Sequence, residues 1–184
     1  MRSKRLPGLP VLCISDGNQL GKVRQPVVDP KGRRVVALLV ACPGIRARKL
    51  LPMATVHSLG SHAVTVRDAD ELRPPQEFEE MGRLLKEDRV KVLGSPVVTA
   101  RGTLVGTIAD YDIGEDGTIE QVLVTQSLWK ALSGTELRVP GEMLMALGKD
   151  AAIVADDVLT LVPKSEESKP ESAPAAARRG SEEV

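Results

Sequence analysis

The sequence predicts a mainly β protein: two small β-barrels in tandem, joined by a short helix and followed by a disordered C-terminal tail. Three observations lead to this prediction. One pattern of glycines, turns and apolar runs occurs twice along the 184 residues. The apolar runs are short and are separated by Gly- and Pro-rich turns, which is typical of all-β barrels and sandwiches. The stretch between the two copies instead has apolar residues at helical spacing.

The repeat sets the expected domain boundaries. Gly17 and Gly21 stand four residues apart in the first copy, as Gly102 and Gly106 do in the second. A solenoid needs at least about three stacked repeats, so two copies indicate two similar domains. We expect a first domain over 1–72, a connector over 73–89, a second domain over 90–163 and a tail over 164–184.

The strands of the first copy follow from its turn residues. An apolar run at 11–14 ends in a Ser-Asp-Gly-Asn turn, and a second strand is expected over 21–28. Pro26 in that second strand indicates a sheet edge or a bulge, because proline has no N–H to donate. The turn at 29–32 then leads into an apolar strand over 34–42, which completes a hairpin.

The second copy follows the same order. Strands over 104–113 and 118–125 flank an acidic, Gly-containing turn. In both copies we expect the apolar side chains of these strands to fill the barrel core. The predicted core residues are Val11, Ile14, Val23, Val36, Leu38, Val40, Val64 and Val66 in the first copy, and Val97, Ile108, Val122, Val124, Ile153 and Val154 in the second.

The connector and the tail differ from the barrels in composition. Phe78, Met81, Leu84 and Leu85 recur at helical spacing after a Pro-Pro pair, which predicts a helix that packs on one barrel or bridges both. These four residues are the candidates for an inter-domain contact. The tail over 164–184 is rich in Ser, Glu, Ala and Pro, so we expect it to be disordered.

Charge is distributed unevenly along the chain. Residues 1–72 contain twelve Lys/Arg and five Asp/Glu, a net of +7, whereas residues 90–163 contain five and ten, a net of −5. This asymmetry indicates either attraction between the two halves, within one chain or in a homo-oligomer, or an anionic partner for the first half. Solvated loop charge is the third interpretation. The candidate interaction patch comprises Lys31, Arg33, Arg34, Arg46, Arg48 and Lys49.

No motif in the sequence predicts catalysis, a metal site or a cofactor site. His57 and His62 lack metal-ligand spacing, and Cys13 and Cys42 are not paired as in a zinc site. The two cysteines lie among apolar residues, which suits free thiols in a reducing compartment. We therefore expect a non-enzymatic, cytoplasmic protein, with a peripheral position at a membrane left open and no transmembrane segment.

Each copy resembles a PRC-barrel domain, a small β-barrel known from the reaction-centre H subunit and from a bacterial 16S rRNA maturation factor. The resemblance rests on the order of features, which the second copy repeats from Gly102 to Val154. In the first copy these features are Asp16-Gly17, Gly21-Lys22-Val23, the hairpin with its apolar strand, Leu51-Pro52 and Val64-Thr65-Val66.

The resemblance implies a bacterial adaptor that binds other macromolecules, because the family shares no catalytic residues to transfer. The expected function is therefore that of an interaction module with a protein partner. The alternative is an RNA- or ribosome-associated factor that uses the basic first repeat.

Overall fold

The computed structural model describes residues 1–44, 48–86, 90–125 and 136–161. It confirms a mainly β protein with two curled, half-barrel sheets in tandem. The predicted disorder of the tail lies outside the described residues, as does Arg46 of the candidate patch.

The first sheet has six strands in the order β4-β3-β2-β1-β6-β5. Neighbouring strands are antiparallel except β1 and β6, which run parallel. Its strands are β1 (Pro10–Cys13), β2 (Gln19–Asp29), β3 (Arg34–Ala41), β4 (Arg48–Pro52), β5 (Val56–Leu59) and β6 (Val64–Val66).

The second sheet repeats this topology in the order β10-β9-β8-β7-β12-β11. Again only the β7–β12 pair is parallel. Its strands are β7 (Pro96–Thr99), β8 (Leu104–Ile113), β9 (Ile119–Thr125), β10 (Glu136–Pro140), β11 (Leu144–Leu147) and β12 (Ala152–Val154).

The repeated glycines have a steric reason. Gly17 and Gly102 take φ values of 71° and 86°, which L-residues rarely adopt, in the turns that follow β1 and β7. A Cβ on Gly21 would lie 2.5 Å from the Ala41 carbonyl oxygen, and one on Gly106 would collide with the equivalent carbonyl of Thr125. The Gly-x3-Gly spacing therefore reflects one turn and one close strand approach in each copy.

Pro26 lies in the part of strand β2 that does not pair with β1. The β1–β2 pairing involves Gln19, Gly21 and Lys22, so Pro26 pairs with β3 alone, opposite Leu38. Register shifts interrupt the β2–β3 ladder on both sides of it. The missing N–H of proline thus falls on a local edge between two bulges.

The connector contains a short helix, α1 (Glu79–Lys86), preceded by a 3₁₀ turn at Pro75–Glu77. The helix packs on the outer face of the first sheet. There a small apolar cluster comprises Val27, Ala37, Leu39, Leu50 and Leu84, with Val36, Phe78, Met81 and Leu85 partly buried against it.

Most of the predicted core residues are buried, with three exceptions. Ile14 is 52% exposed, because it follows the end of β1 and its backbone N–H bonds to Val66. Ile153 is half-buried, since it alternates with the buried Ala152 and Val154 and so faces outward. Val36 is half-buried against the helix-side cluster rather than in the barrel core. The prediction that Ile14, Val36 and Ile153 belong to the barrel core is wrong.

The two sheets share one hydrophobic core. The larger apolar cluster contains first-repeat residues such as Val35, Leu38 and Met53 together with second-repeat residues such as Ile113 and Val122. Burial of these side chains is the main stabilising contribution, so the two repeats stabilise each other.

Candidate interaction surfaces

The two repeats meet at the starts of the equivalent strands β3 and β9. Arg34 and Thr118 form an antiparallel bridge. The Val35 N–H donates to the Gly117 carbonyl at 2.8 Å, and the Ile119 N–H donates to the Arg33 carbonyl at 3.3 Å. We call this pairing the hairpin seam. It joins the two sheets through backbone hydrogen bonds, so its geometry depends little on side-chain charge.

A second junction is made by the segment that precedes β1. The Met1 amino group donates to the Ile113 carbonyl at 2.7 Å, and the Ile113 N–H donates back to the Met1 carbonyl at 2.8 Å. Next to this pair, the buried Asp110 carboxylate accepts hydrogen bonds from the Ser3 hydroxyl at 2.7 Å and the Lys4 N–H at 3.2 Å. The start of the first repeat is thereby fixed to strand β8 of the second.

The equivalent segment of the second repeat lies against the first. Residues 90–93 line a cavity of about 200 Å³ together with residues 25–28 of β2, Leu84 and Leu85 of α1, and Tyr111 of β8. Burial raises the pKa of Tyr111, so its hydroxyl stays protonated in the folded state. Each repeat therefore places its leading segment against the other.

The candidate basic patch is divided by this arrangement. Arg33 donates from Nη1 to the Leu144 carbonyl, and Arg34 donates from Nη2 to the Asp116 carbonyl at 2.8 Å. Both side chains thus contact the second repeat. Lys31 remains exposed at the tip of the β2–β3 hairpin.

Arg48 and Lys49 lie apart from that hairpin tip, on strand β4, where Arg48 is exposed and Lys49 is half-buried. Two further cations, Lys22 and Arg24, which were not predicted as part of the patch, lie near Arg48. Lys22 of β2 is paired with Ala41 of β3, which is paired with Arg48 of β4. Arg24 follows two residues after Lys22 and is also exposed. Lys22 and Arg48 lie in one row because of the register of strands β2, β3 and β4, which the sequence pattern does not determine.

The four connector residues predicted at an inter-domain contact pack on the first sheet. Phe78, Met81, Leu84 and Leu85 contact a cluster whose other described members all belong to strands β2, β3 and β4. Leu84 and Leu85 also line the cavity next to Tyr111. The described backbone hydrogen bonds between the repeats come from the hairpin seam and from the segment that precedes β1, and the shared core adds side-chain contacts.

The outer face of the second sheet carries an apolar row across four strands. Register places Leu104 opposite Val98, Val98 opposite Ile153, and Ile153 opposite Ala146. Leu104 is 61% exposed, and the adjacent Met145 is 58% exposed. With strands about 4.8 Å apart, the row spans about 14 Å. We call it the apolar row.

The same register in the first sheet gives a different row. Gln19 lies opposite Leu12, Leu12 opposite Thr65, and Thr65 opposite Ser58. Three of these four side chains are polar, whereas all four are apolar in the second sheet. Because the backbone topology is shared, the difference lies in the side chains alone and not in the fold.

The polar chemistry of the described residues is largely used in structure. Asp16 and Asp116 each cap a turn, and hydrogen bonds from Asn18 and Thr118, respectively, lower their carboxyl pKa values. Buried Cys13 contacts the Ser15 hydroxyl at 3.0 Å. Over the described ranges, no group of three or more His, Cys, Asp or Glu residues is placed to hold a metal ion.

The sequence was compared with known proteins. No family model matches the chain, and no curated protein matches it at a significant level. The resemblance to PRC-barrel domains therefore stays a prediction. Among the helical residues described, none forms a helix long and apolar enough to cross a membrane.

Proposed function

We propose that this chain is a non-enzymatic interaction module of the PRC-barrel type, which binds a protein partner through the outer face of its second sheet. The observation that carries the proposal is the apolar row, Leu104–Val98–Ile153–Ala146, at a position where three of the four first-sheet side chains are polar. Exposed apolar patches that a related surface lacks are typical of protein-binding sites.

The net charge of the second repeat indicates the chemistry of the partner. Residues 90–163 carry a net charge of −5. A partner with an apolar patch rimmed by Lys and Arg would complement this surface, and the opposite charges would accelerate association. The row itself contains no charged side chain, so docking requires little desolvation of charge.

Leu104 provides a magnitude for the interaction. Fully burying a Leu side chain contributes about 1.5–3 kcal/mol, and Leu104 is 61% exposed before docking. Covering it would therefore contribute about 1–2 kcal/mol, which corresponds to roughly a five- to thirty-fold change in Kd.

The experiment exchanges the two rows between the sheets. One variant introduces the first-sheet residues into the second sheet, and a matched control introduces the second-sheet residues into the first. The first variant is Leu104→Gln, Val98→Leu, Ile153→Thr and Ala146→Ser; the control is Gln19→Leu, Leu12→Val, Thr65→Ile and Ser58→Ala. Partners would be identified by affinity purification and quantified by mass spectrometry, then titrated with the purified protein.

We expect the first variant to lose a specific partner that the wild type and the control retain, with unchanged circular dichroism. Equal recovery of that partner by the variant would refute the proposal. Size-exclusion chromatography with light scattering would reveal self-association. If the apolar row only joined two copies of this chain, a foreign protein partner would also be ruled out.

A further inference from the structure

The first repeat contains a pocket beside strand β2. It has a volume of about 390 Å³ and lies between the segment preceding β1, strand β2 and the end of β3. Gly8 and Gly21 form part of its wall, so backbone is accessible there. Its charged lining residues are Lys22 and Arg24, and the half-buried Cys42 also faces it. The volume falls within the range of small-molecule sites.

The cations at this pocket are unpaired within the described parts of the chain. Lys22 and Arg24, which line the pocket, form no ion pair or side-chain hydrogen bond with any residue in those ranges, and neither does Arg48, which lies on strand β4 outside the lining. The positive charge of Lys49 favours the thiolate form of Cys42, so the Lys49 ammonium group lies near Cys42. Arg33 and Arg34 differ, because their guanidinium groups already bind carbonyls of the second repeat.

The second repeat serves as an internal comparison. The row Lys22–Ala41–Arg48 of the first sheet corresponds to Thr107–Thr125–Glu136 of the second. The same backbone position is therefore basic in one copy, and neutral or acidic in the other. No acidic residue lines the first-repeat pocket among the residues described.

We propose that the Lys22/Arg24 pocket binds the phosphate group of a small phosphorylated molecule. Lys and Arg provide charge-assisted hydrogen bonds to phosphate oxygens, which are roughly twice as strong as neutral ones. The cavity has room beyond a single phosphate for the group that carries it. Among the residues described, no aromatic side chain lines the pocket, so recognition there rests on charge and shape.

An RNA strand is the competing ligand, and the structure favours it less. Sequence-independent binding of single strands combines a basic groove along the backbone with aromatic side chains for base stacking. Here the two lining cations face one concavity, and the Arg33 and Arg34 side chains are bound to carbonyls of the second repeat. RNA is therefore an outcome of the test rather than part of the proposal.

Cys42 offers a direct readout of occupancy, because it lines the pocket. Burial raises the pKa of its thiol, so alkylation by iodoacetamide would be followed at mildly alkaline pH. The wild-type protein would be titrated with AMP, inorganic phosphate or a 12-nucleotide RNA at constant ionic strength. Cys13 is 2% exposed and serves as the internal control for unfolding.

We expect AMP to slow Cys42 alkylation about tenfold at ten times its dissociation constant, because about nine-tenths of the protein is then occupied. The double variant Lys22→Gln/Arg24→Gln should lose this protection. The control Lys31→Gln removes an exposed cation outside the pocket and should retain it. Unchanged circular dichroism would show that each variant is folded.

Three results would overturn the proposal. The first is no protection of Cys42 by AMP or phosphate. The second is equal protection in the Lys22→Gln/Arg24→Gln variant. The third is protection by RNA without protection by AMP, which would assign the surface to nucleic acid. None of these outcomes affects the proposed protein-binding role of the second sheet, because that role depends on Leu104 and its neighbours.

Discussion

Replacing Gly117 by Ala should disrupt the hairpin seam and so show how much the seam contributes to the stability of the fold. Gly117 has φ = 88°, and a Cβ there would collide with the Val35 carbonyl oxygen. The same glycine accepts the 2.8 Å hydrogen bond from the Val35 N–H, beside the 3.3 Å bond from Ile119 to Arg33. The substitution therefore introduces backbone strain and also pushes the two strand starts apart.

The expected cost is the sum of these effects. A left-handed backbone costs a non-glycine residue about 1–2 kcal/mol. Each lost hydrogen bond costs about 0.5–1.5 kcal/mol, and two are at stake. The total is about 2–5 kcal/mol, a large part of the stability of a small protein.

Gly102→Ala is the matched control. Gly102 has φ = 86°, but nothing lies within 4 Å of its added Cβ. It should cost only the backbone strain, about 1–2 kcal/mol. The assay is urea denaturation of both variants and the wild type, followed by circular dichroism and extrapolated to water. If the two variants lose the same stability within about 0.5 kcal/mol, the hairpin seam does not hold the repeats together.

Three further predictions concern the core and two titrating groups. Leu38→Ala should cost about 2–5 kcal/mol because Leu38 is fully buried, whereas Ile14→Ala should stay within about 0.5 kcal/mol; equal losses in urea denaturation would contradict the burial. The lowered pKa of Asp116 contributes stability above the ordinary Asp pKa of about 4, and this stability is lost as pH falls through the folded pKa. Asp116→Asn should therefore reduce the loss of thermal stability at acid pH. An unchanged acid loss would refute the contribution of Asp116. The raised pKa of Tyr111 contributes stability that is intact below about pH 10 and is lost as pH rises further. The thermal stability of Tyr111→Phe should therefore be less sensitive to alkali than that of the wild type. Equal sensitivity would argue against the burial of the Tyr111 hydroxyl.

Local sequence signals predicted five of the twelve described strands, β1, β2, β3, β8 and β9. The β2–β3 and β8–β9 hairpins follow from turn residues that act within a few positions, and β8 (Leu104–Ile113) has the bounds expected from its pattern. The two Gly-x3-Gly spacings likewise correspond to one turn and one close strand approach in each copy. These features depend on backbone conformation, which nearby residues largely determine.

Features that depend on register and on contacts distant in sequence were not predictable in the same way. Ile14 and Ile153 are apolar and were placed in the core, but Ile14 lies just past the end of β1 and Ile153 lies on the outward-facing side of β12. Arg33 and Arg34 were grouped with a surface patch, yet they reach carbonyls 111 and 82 residues away. Lys22 and Arg24 were overlooked because their neighbours in the basic row lie on other strands.

A photo-crosslinking residue at position 104 or at the equivalent position 19, in cells that produce the protein, tests directly whether the second sheet, and not the first, presents the partner-binding face. Mass spectrometry should find a defined protein adduct from position 104, lost when Ile153→Thr and Ala146→Ser are added, and none from position 19. Equal adducts from both positions, or an adduct from position 19 alone, would contradict the account.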